Sequence, residues 1–422
     1  MFVYLLNILA VCVFALLFCR KGASKNERDE KLNRTFFIVL CFVQCWVVSS
    51  MRYNIGTDYY MYAKGFTEMA KTGFSNLKYE DWEIGYIILN KIVGLFTKKA
   101  SVLFSIAAAL SLAGPMYMTW RHSKNPFMSV FIFLNTYLFY LTLNYVRQGI
   151  AMSIMCFAFD FMKRFIEGEH KHLWKNKDMW LFILLIGVAA TFHLPVVYLI
   201  PVLFISLIRL NLKTLPIYAV GIVVYFAASD AVLKVLLSHF HKEYAGSRFI
   251  KYGISYIYAI FPLVICVAMI AVAFWTRFKL TKYQNLLLHL TLMMGFWQIV
   301  MTKHALFERF SYYTMPFMLI AVPEFISIVR EKLLETKLNK VNARSVGKNL
   351  NTQKKNAVGK AETRVQKKVG KIVLVVNITV FALMLAYNMT GLIIPKNGAH
   401  GVLPYRTLYG FDIPNIDGWF KG

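Results

Sequence analysis

Five short stretches hold the polar residues that a mostly apolar chain can least accommodate. In LNYVRQGIAMSI, residues 143–154, Asn144, Arg147 and Gln148 recur at i, i+3 and i+4, so one helical face would carry an amide, a guanidinium and an amide. In TKHALFERFSYYTMPF, residues 302–317, His304, Glu308 and Tyr312 follow one another four apart, and Arg309 precedes Tyr312 and Tyr313 by three and four, so about one turn would supply base, cation and phenol. The stretch MRYNIGTDYYMYAKGF, residues 51–66, sets Arg52 and Asp58 among Tyr53, Tyr59, Tyr60 and Tyr62, with Gly56 allowing a turn. A tyrosine offers sugar rings a flat apolar face and a hydroxyl; the same residues would also make an interfacial aromatic belt. In WEIGYIILNK, residues 82–91, Glu83 opens a short apolar run with Tyr86 and Asn90 at i+3 and i+7, and an acid there also suits a helix start. His193 in ATFHLPVV stands just before Pro195, as a base or a hydrogen-bonded core histidine. Arg248 and Lys251 in KEYAGSRFIKYG add solvent-exposed charge.

Arginine forks match phosphate oxygens bidentately, and tyrosines and amides suit sugars, so the set suits a sugar diphosphate. Glycosyl transfer from a lipid diphosphate requires an acceptor hydroxyl to lose its proton and a leaving phosphate to be neutralised. Arginines can do the second without a metal, and the chain shows neither metal-ligand spacing nor a DxD motif, so no metal or other cofactor is expected. Arg147 and Arg309 would hold the diphosphate, with Asp58, Glu83 or His193 as base and Glu308 as a further carboxylate at the site. Tyr59, Tyr60 and Tyr312 would meet sugars, with Arg52, Asn144, Gln148 and His304 completing the binding set. A flippase for the same lipid-linked sugar would carry its cations near the bilayer midplane. A scaffold would not need convergent arginines.

The elements that position these residues must be membrane helices. Of 422 residues 58% are apolar and 16% charged, well below the roughly 25% charged of soluble domains. Apolar runs near the ~20 residues needed to cross a bilayer fall at 1–19, 35–51, 101–120, 126–143, 145–162, 179–194, 196–208, 214–229, 255–276, 283–301, 310–329 and 372–394. These predict an all-α polytopic protein of about twelve transmembrane helices. A shorter run at 84–96 reads as a re-entrant or interfacial helix, and Pro195 as a tight hairpin. The first run precedes its charges, the reverse of a signal peptide, and reads as a span. All six cysteines sit in or at the ends of apolar runs and read as small hydrophobes. The net charge of +27 is not a nucleic-acid signature here. Most of the 48 Lys and Arg fall in 20–34, 121–125, 163–178, 209–213, 277–282 and 330–371, which the positive-inside rule puts together on the cytoplasmic side. The five polar stretches then fall on the outer side.

NIGTDYYMY, WEIGYIILN, NYVRQGIAMSI, TFHLPVV and FERFSYYTMPF resemble, in order and spacing, the EpsG-like branch of the Wzy-type polysaccharide polymerases over about residues 1–330. The resemblance implies a multi-pass enzyme of the bacterial plasma membrane that joins polyprenyl-diphosphate-linked oligosaccharide repeats on the outer face into exopolysaccharide or capsule. Its implied partners are that lipid-linked substrate, the bilayer, and flippase and chain-length regulator proteins. The family's motif residues carry over onto Arg52, Asp58, Glu83, Asn144, Arg147, Gln148, His193, Glu308 and Arg309. Beyond this 1–330 domain are a basic cytoplasmic linker at 331–370, also suited to anionic lipid, an added span at 371–394 and an extracytoplasmic tail at 395–422. Removing everything after about Lys332 should therefore leave a folded, partly active protein.

The orientation is testable with an impermeant thiol reagent on intact cells. Tyr60→Cys, Lys242→Cys and His304→Cys should be labelled, while Arg28→Cys, His170→Cys and Leu350→Cys should not. The opposite pattern would put the polar stretches in the cytoplasm, and labelling of Lys99→Cys reports whether 84–96 crosses.

Overall fold

The structure is a computed structural model that describes residues 1–20, 26–72, 74, 76–169, 172–240, 251–345, 352–395 and 399–408. Among these residues the chain is helical, with two isolated β-bridges and no strand. The helices are α1 (Phe2–Phe18), α2 (Glu27–Ser50), α3 (Tyr59–Met69), α4 (Ile84–Phe96), α5 (Ala100–His122), α6 (Pro126–Asn135), α7 (Leu138–Asn144), α8 (Val146–Glu167), α9 (Lys177–Ala190) and α10 (Leu199–Ile205). They continue with α11 (Pro216–Phe240), α12 (Ile257–Trp275), α13 (Lys282–Val300), α14 (Glu308–Thr314), α15 (Met318–Ser345) and α16 (Thr352–Ile393).

Large apolar side chains face outward along the helices: Leu16 is 67% exposed, Val223 67% and Val375 62%. In water such surfaces would aggregate, whereas in a bilayer they meet their solvent. Five described helical stretches are long and apolar enough to cross: Glu27–Ser50, Ala100–His122, Ile257–Trp275, Ala305–Asn339 and Ala361–Ile393. A sixth is α6 with α7, bent by 52°. The bend follows from side chains that compete for the helix's own carbonyls: Asn135 Nδ2 donates to Phe131 O, Thr136 Oγ1 to Ile132 O, and Tyr137 turns left-handed at φ 64°. Length and apolarity thus yield five or six spans where the sequence suggested about twelve. The other runs form short helices, such as α1, α4 and Leu194–Ile205, or carry charged or polar residues, as α8 does with Arg147, Asp160, Lys163 and Arg164 and α13 with Gln284, Asn285, His289 and Gln298.

Contacts between loops sort the helix termini into two ends. At one end Arg34 donates to Ser123 O, Lys124 pairs with Glu324 and Glu331, Arg164 with Asp178, and Lys282 donates to Gly168 O. These contacts gather several of the basic loops. At the other end lie the C-termini of α2 and α9 and the N-termini of α4, α8 and α14, joined through the contacts described below. Both ends of α4 lie there too. Glu83 at its start meets Arg147, while Gly94 near its finish packs on Ala70 just after α3 and Lys98 donates to Ala70 O. The hydroxyls of Ser50 and Ser105 then meet at 3.0 Å where α2 ends and α5 begins.

The basic segment expected as a linker is helical where it is described, within α15 and the 42-residue α16. The C-terminal half of α16 docks into the bundle. Asn388 links Asn135 (3.0 Å) and Tyr140 (2.9 Å), Tyr137 Oη donates to Tyr387 O (2.6 Å), and Tyr387 Oη to Tyr258 O (2.7 Å). Residues 400–408 then fold back along 51–57: Gly56 N donates to Gly401 O, Thr57 N to His400 O, Tyr53 N to Arg406 O and Leu408 N to Met51 O. Gly401 takes φ +70°, and a Cβ there would press on Thr57. The polar stretch at 51–58 thus packs on residues 400–408, part of the segment after Lys332 without which the chain is expected to stay folded and partly active.

Gly391 tests this docking, because a Cβ on it would lie 2.1 Å from Tyr137 Cε1. Gly391→Leu should cost about 1–3 kcal/mol and lower the thermal midpoint of the purified protein. An unchanged midpoint would mean that α16 is not seated there.

Candidate active site

The chain enters the candidate site at 51–58. Arg52 is 1% exposed: its Nη1 donates to Ser49 O at 3.1 Å and its guanidinium lies 5.0 Å from the Phe104 ring centroid. Burial lowers its pKa to about 10, so it stays charged at neutral pH. Tyr59 is likewise buried and stacks on Phe104 at 4.7 Å. Both were expected to bind substrate; both are core residues under the loop, because the aromatic face that suits a sugar also suits Phe104. Tyr60 is 62% exposed and remains open to a ligand. Gly56, at φ +97°, makes the turn, and an added Cβ would come 2.9 Å from Asn144 Oδ1.

Asn144 Oδ1 accepts from Asp58 N at 3.1 Å and from Thr57 Oγ1 at 3.2 Å, which fixes the loop against the bundle. Asp58 itself accepts from Thr57 Oγ1 at 3.0 Å. Partial burial raises its pKa, opposed by that hydrogen bond and by the charges of Arg309 and Arg147. The carboxylate therefore stands in the field of both arginines without an ion pair of its own among the described residues.

Asn144, Arg147 and Gln148 do not share one helix face, as their spacing implied. Tyr145, at φ −90° and ψ 69°, separates α7 from α8, so Asn144 ends one helix and Arg147 opens the next. The three still converge: Arg147 Nη1 lies 2.5 Å from Glu83 Oε2, and Gln148 Nε2 donates to Arg309 O at 2.7 Å. Glu83 Oε1 also accepts from Leu194 N at 3.2 Å, tying α4 to the turn after α9. Both side chains of the Arg147–Glu83 pair are about 20% exposed, and the guanidinium lies over Trp82 at 5.6 Å. Tyr86 and Asn90 instead bury themselves, Tyr86 against Tyr62 and Trp82.

His193 Nδ1 lies 2.6 Å from Tyr313 Oη, within reach of the Arg309 and Arg147 charges. Tyr312 turns the other way, donating to Glu308 and meeting His400 Nε2 at 3.1 Å. The His304–Glu308–Tyr312 series does not act as one turn, because a 3₁₀ turn at Ala305–Phe307 intervenes. His304 is 4% exposed and meets Ser229 Oγ (3.3 Å) and Asp230 Oδ1 (3.2 Å) of α11, away from Glu308. A cysteine at 304 would be shielded, so Tyr60 is the more accessible labelling position. Positions 170, 242 and 350 and Arg248 lie outside the described residues, and Lys251 is exposed.

Asp58, Glu83, Asn144, Arg147, Gln148, His193, Glu308, Arg309 and Tyr312 therefore share one end of the bundle. Sequence reasoning missed His400. Burial lowers its pKa to about 4, so it is neutral at neutral pH. The signal was a histidine beside glycine in AHGVLPY, but nothing local says where a tail will dock. Among the described residues no group of three or more His, Cys, Asp or Glu could hold a metal. Cys41, Cys45, Cys156 and Cys266 are buried as packing groups.

Against known proteins, the EpsG family model matches residues 34–334. No curated protein and no solved structure matches the chain.

Proposed function

The chain belongs to the EpsG family, and from that premise we propose that it polymerises polyprenyl-diphosphate-linked oligosaccharide repeats into exopolysaccharide or capsule. The reaction would run at the outer face of the bacterial plasma membrane and without a metal. The observation that carries this reading is one carboxylate, Asp58, held in the field of two arginines, Arg147 and Arg309, at the end of the bundle away from the basic loops.

Each group has a role in one displacement. The acceptor hydroxyl loses its proton to Asp58, and its oxygen forms a bond to the anomeric carbon of the donor. The bond from that carbon to the diphosphate oxygen breaks, and the leaving diphosphate takes its electron pair to the Arg147 and Arg309 guanidinia. Glu83 suits this role less well, since it is committed to Arg147 and Leu194 N, and His193 is held by Tyr313. Glu83 instead aims the Arg147 fork. Burial of Asp58 favours its neutral form, so the base form is lost as pH falls through a pKa above the usual aspartate range.

The alternation of helix ends supports about twelve passes, some by helices too short or too charged to qualify alone. The contacts of both ends of α4 support a helix that stays on the outer side. The 1–330 region would be the catalytic unit, the basic segment would face the cytoplasm, and flippase and chain-length regulator proteins would be its partners. A flippase remains the alternative from another class; the clustering of cations at one end favours the polymerase.

Lysine at 147 or 309 keeps the charge but loses the planar pair of donors. Arg147→Lys and Arg309→Lys should each cut turnover per folded molecule about 10- to 1,000-fold, about 1.4–4 kcal/mol of transition-state stabilisation, while Asn144→Ala should do less. A purely structural Arg147–Glu83 pair predicts that lysine retains most activity. Near-wild-type turnover in both lysine variants, measured in reconstituted vesicles, would remove the diphosphate role.

A further inference from the structure

Sharing Glu308 and Tyr312 with the candidate site is a cavity of about 220 Å³, lined in part also by Tyr258, Gln298, Tyr387 and His400. Two of these, Tyr387 and His400, come from α16 and the tail, beyond the 34–334 that the family shares. The geometry points to a subsite for one neutral sugar ring, built jointly by the family core and this chain's own C-terminal segment. The inference rests on the polymerase reading for its biological role, and on the cavity alone for its chemistry.

Four observations support it. The volume is below the roughly 300–1,000 Å³ of sites for drug-sized ligands, so it suits a single ring. No Lys or Arg lines it, and a carboxylate does, which disfavours phosphate and suits hydroxyls. Gln298 is 2% exposed; its Nε2 donates to Ser311 Oγ at 2.6 Å, but its Oε1 has no hydrogen-bond partner. An unpaired buried acceptor is costly, a deficit that a ligand hydroxyl would remove. Finally, the polar wall is pre-arranged. Tyr312 has one hydroxyl proton and donates it to Glu308, so its oxygen accepts from His400 Nε2.

The tail is held so as to present this histidine. His400 sits at φ 58°, its carbonyl accepts from Thr57 N at 3.1 Å, and its ring meets those of Tyr145 at 5.1 Å and Tyr312 at 5.9 Å. Tyr4 Oη, from α1, donates to Val402 O at 2.9 Å. None of these backbone contacts uses the imidazole, so changing the side chain alone should leave the tail docked.

Saturation-transfer NMR on the full chain in detergent micelles tests this, using a panel of methyl hexopyranosides and N-acetylhexosamines at millimolar concentration. At least one sugar should receive saturation from the wild type, and millimolar inorganic pyrophosphate should not displace it. His400→Ala and Gln298→Leu should each weaken that sugar at least about 10-fold. His400→Asn, with a polar residue that tolerates positive φ, should weaken it less than Ala if the polar contact matters. An unchanged elution profile in size-exclusion chromatography shows that the variants are folded. Absence of transfer to every sugar, displacement by pyrophosphate, or undiminished binding in both His400→Ala and Gln298→Leu would overturn the subsite. Because the readout is binding, its failure is separable from failure of the polymerase reading: sugar binding without polymer formation would leave the cavity standing and remove the enzyme.

Discussion

A guanidinium at the end of an apolar bundle has to be answered, and much of this site follows from how Arg147 is answered. Glu83 meets it at 2.5 Å, Trp82 lies under it, and Asp81 O lies at 3.5 Å. An arginine left alone among apolar helices would carry a large desolvation cost, so α4 and α8 are bound together at this end. Glu83 then reaches Leu194 N with its second oxygen and draws in the turn after α9. Gln148, one residue on from Arg147, holds the Arg309 carbonyl and thereby the start of α14. One charge pair and its neighbour thus register four elements, and the pair stays partly open, where a ligand's negative charge can compete for the arginine.

Asn144 solves the complementary problem on the other side. The break at Tyr145 frees it from the helix that bears Arg147, and its amide oxygen holds the Asp58–Thr57 backbone and hydroxyl. Acid and cations therefore approach from different elements without neutralising each other directly. The C-terminal segment completes the packing from outside, by pairing with 51–57 and by setting His400 against Tyr312.

Composition and run length carried the helical membrane architecture, because apolar stretches of this length have few alternatives. The charged residues that converge at one end of the bundle were also legible, since an Arg147, Glu83 or Glu308 at the edge of an apolar stretch is costly to hold there. Spacing failed where the helix itself broke. Periodicity assumes a continuous helix, and Tyr145 and the 3₁₀ turn at Ala305–Phe307 each interrupt one, which sends Asn144 to the 51–58 loop and His304 to Asp230. Arg52 and Tyr59 had the right chemistry for a ligand but found Phe104 instead. His400 was out of reach, because its partners Thr57 and Tyr312 are far away in sequence and only the docked fold brings them together.

The most direct measurement is product length from the purified chain in vesicles, supplied with a lipid-linked repeat unit in the presence of a chelator. A metal-independent polymerase predicts a ladder of multimeric products, with one polyprenyl diphosphate released for each linkage formed. A single repeat that changes sides of the membrane without lengthening would contradict the account and identify a flippase.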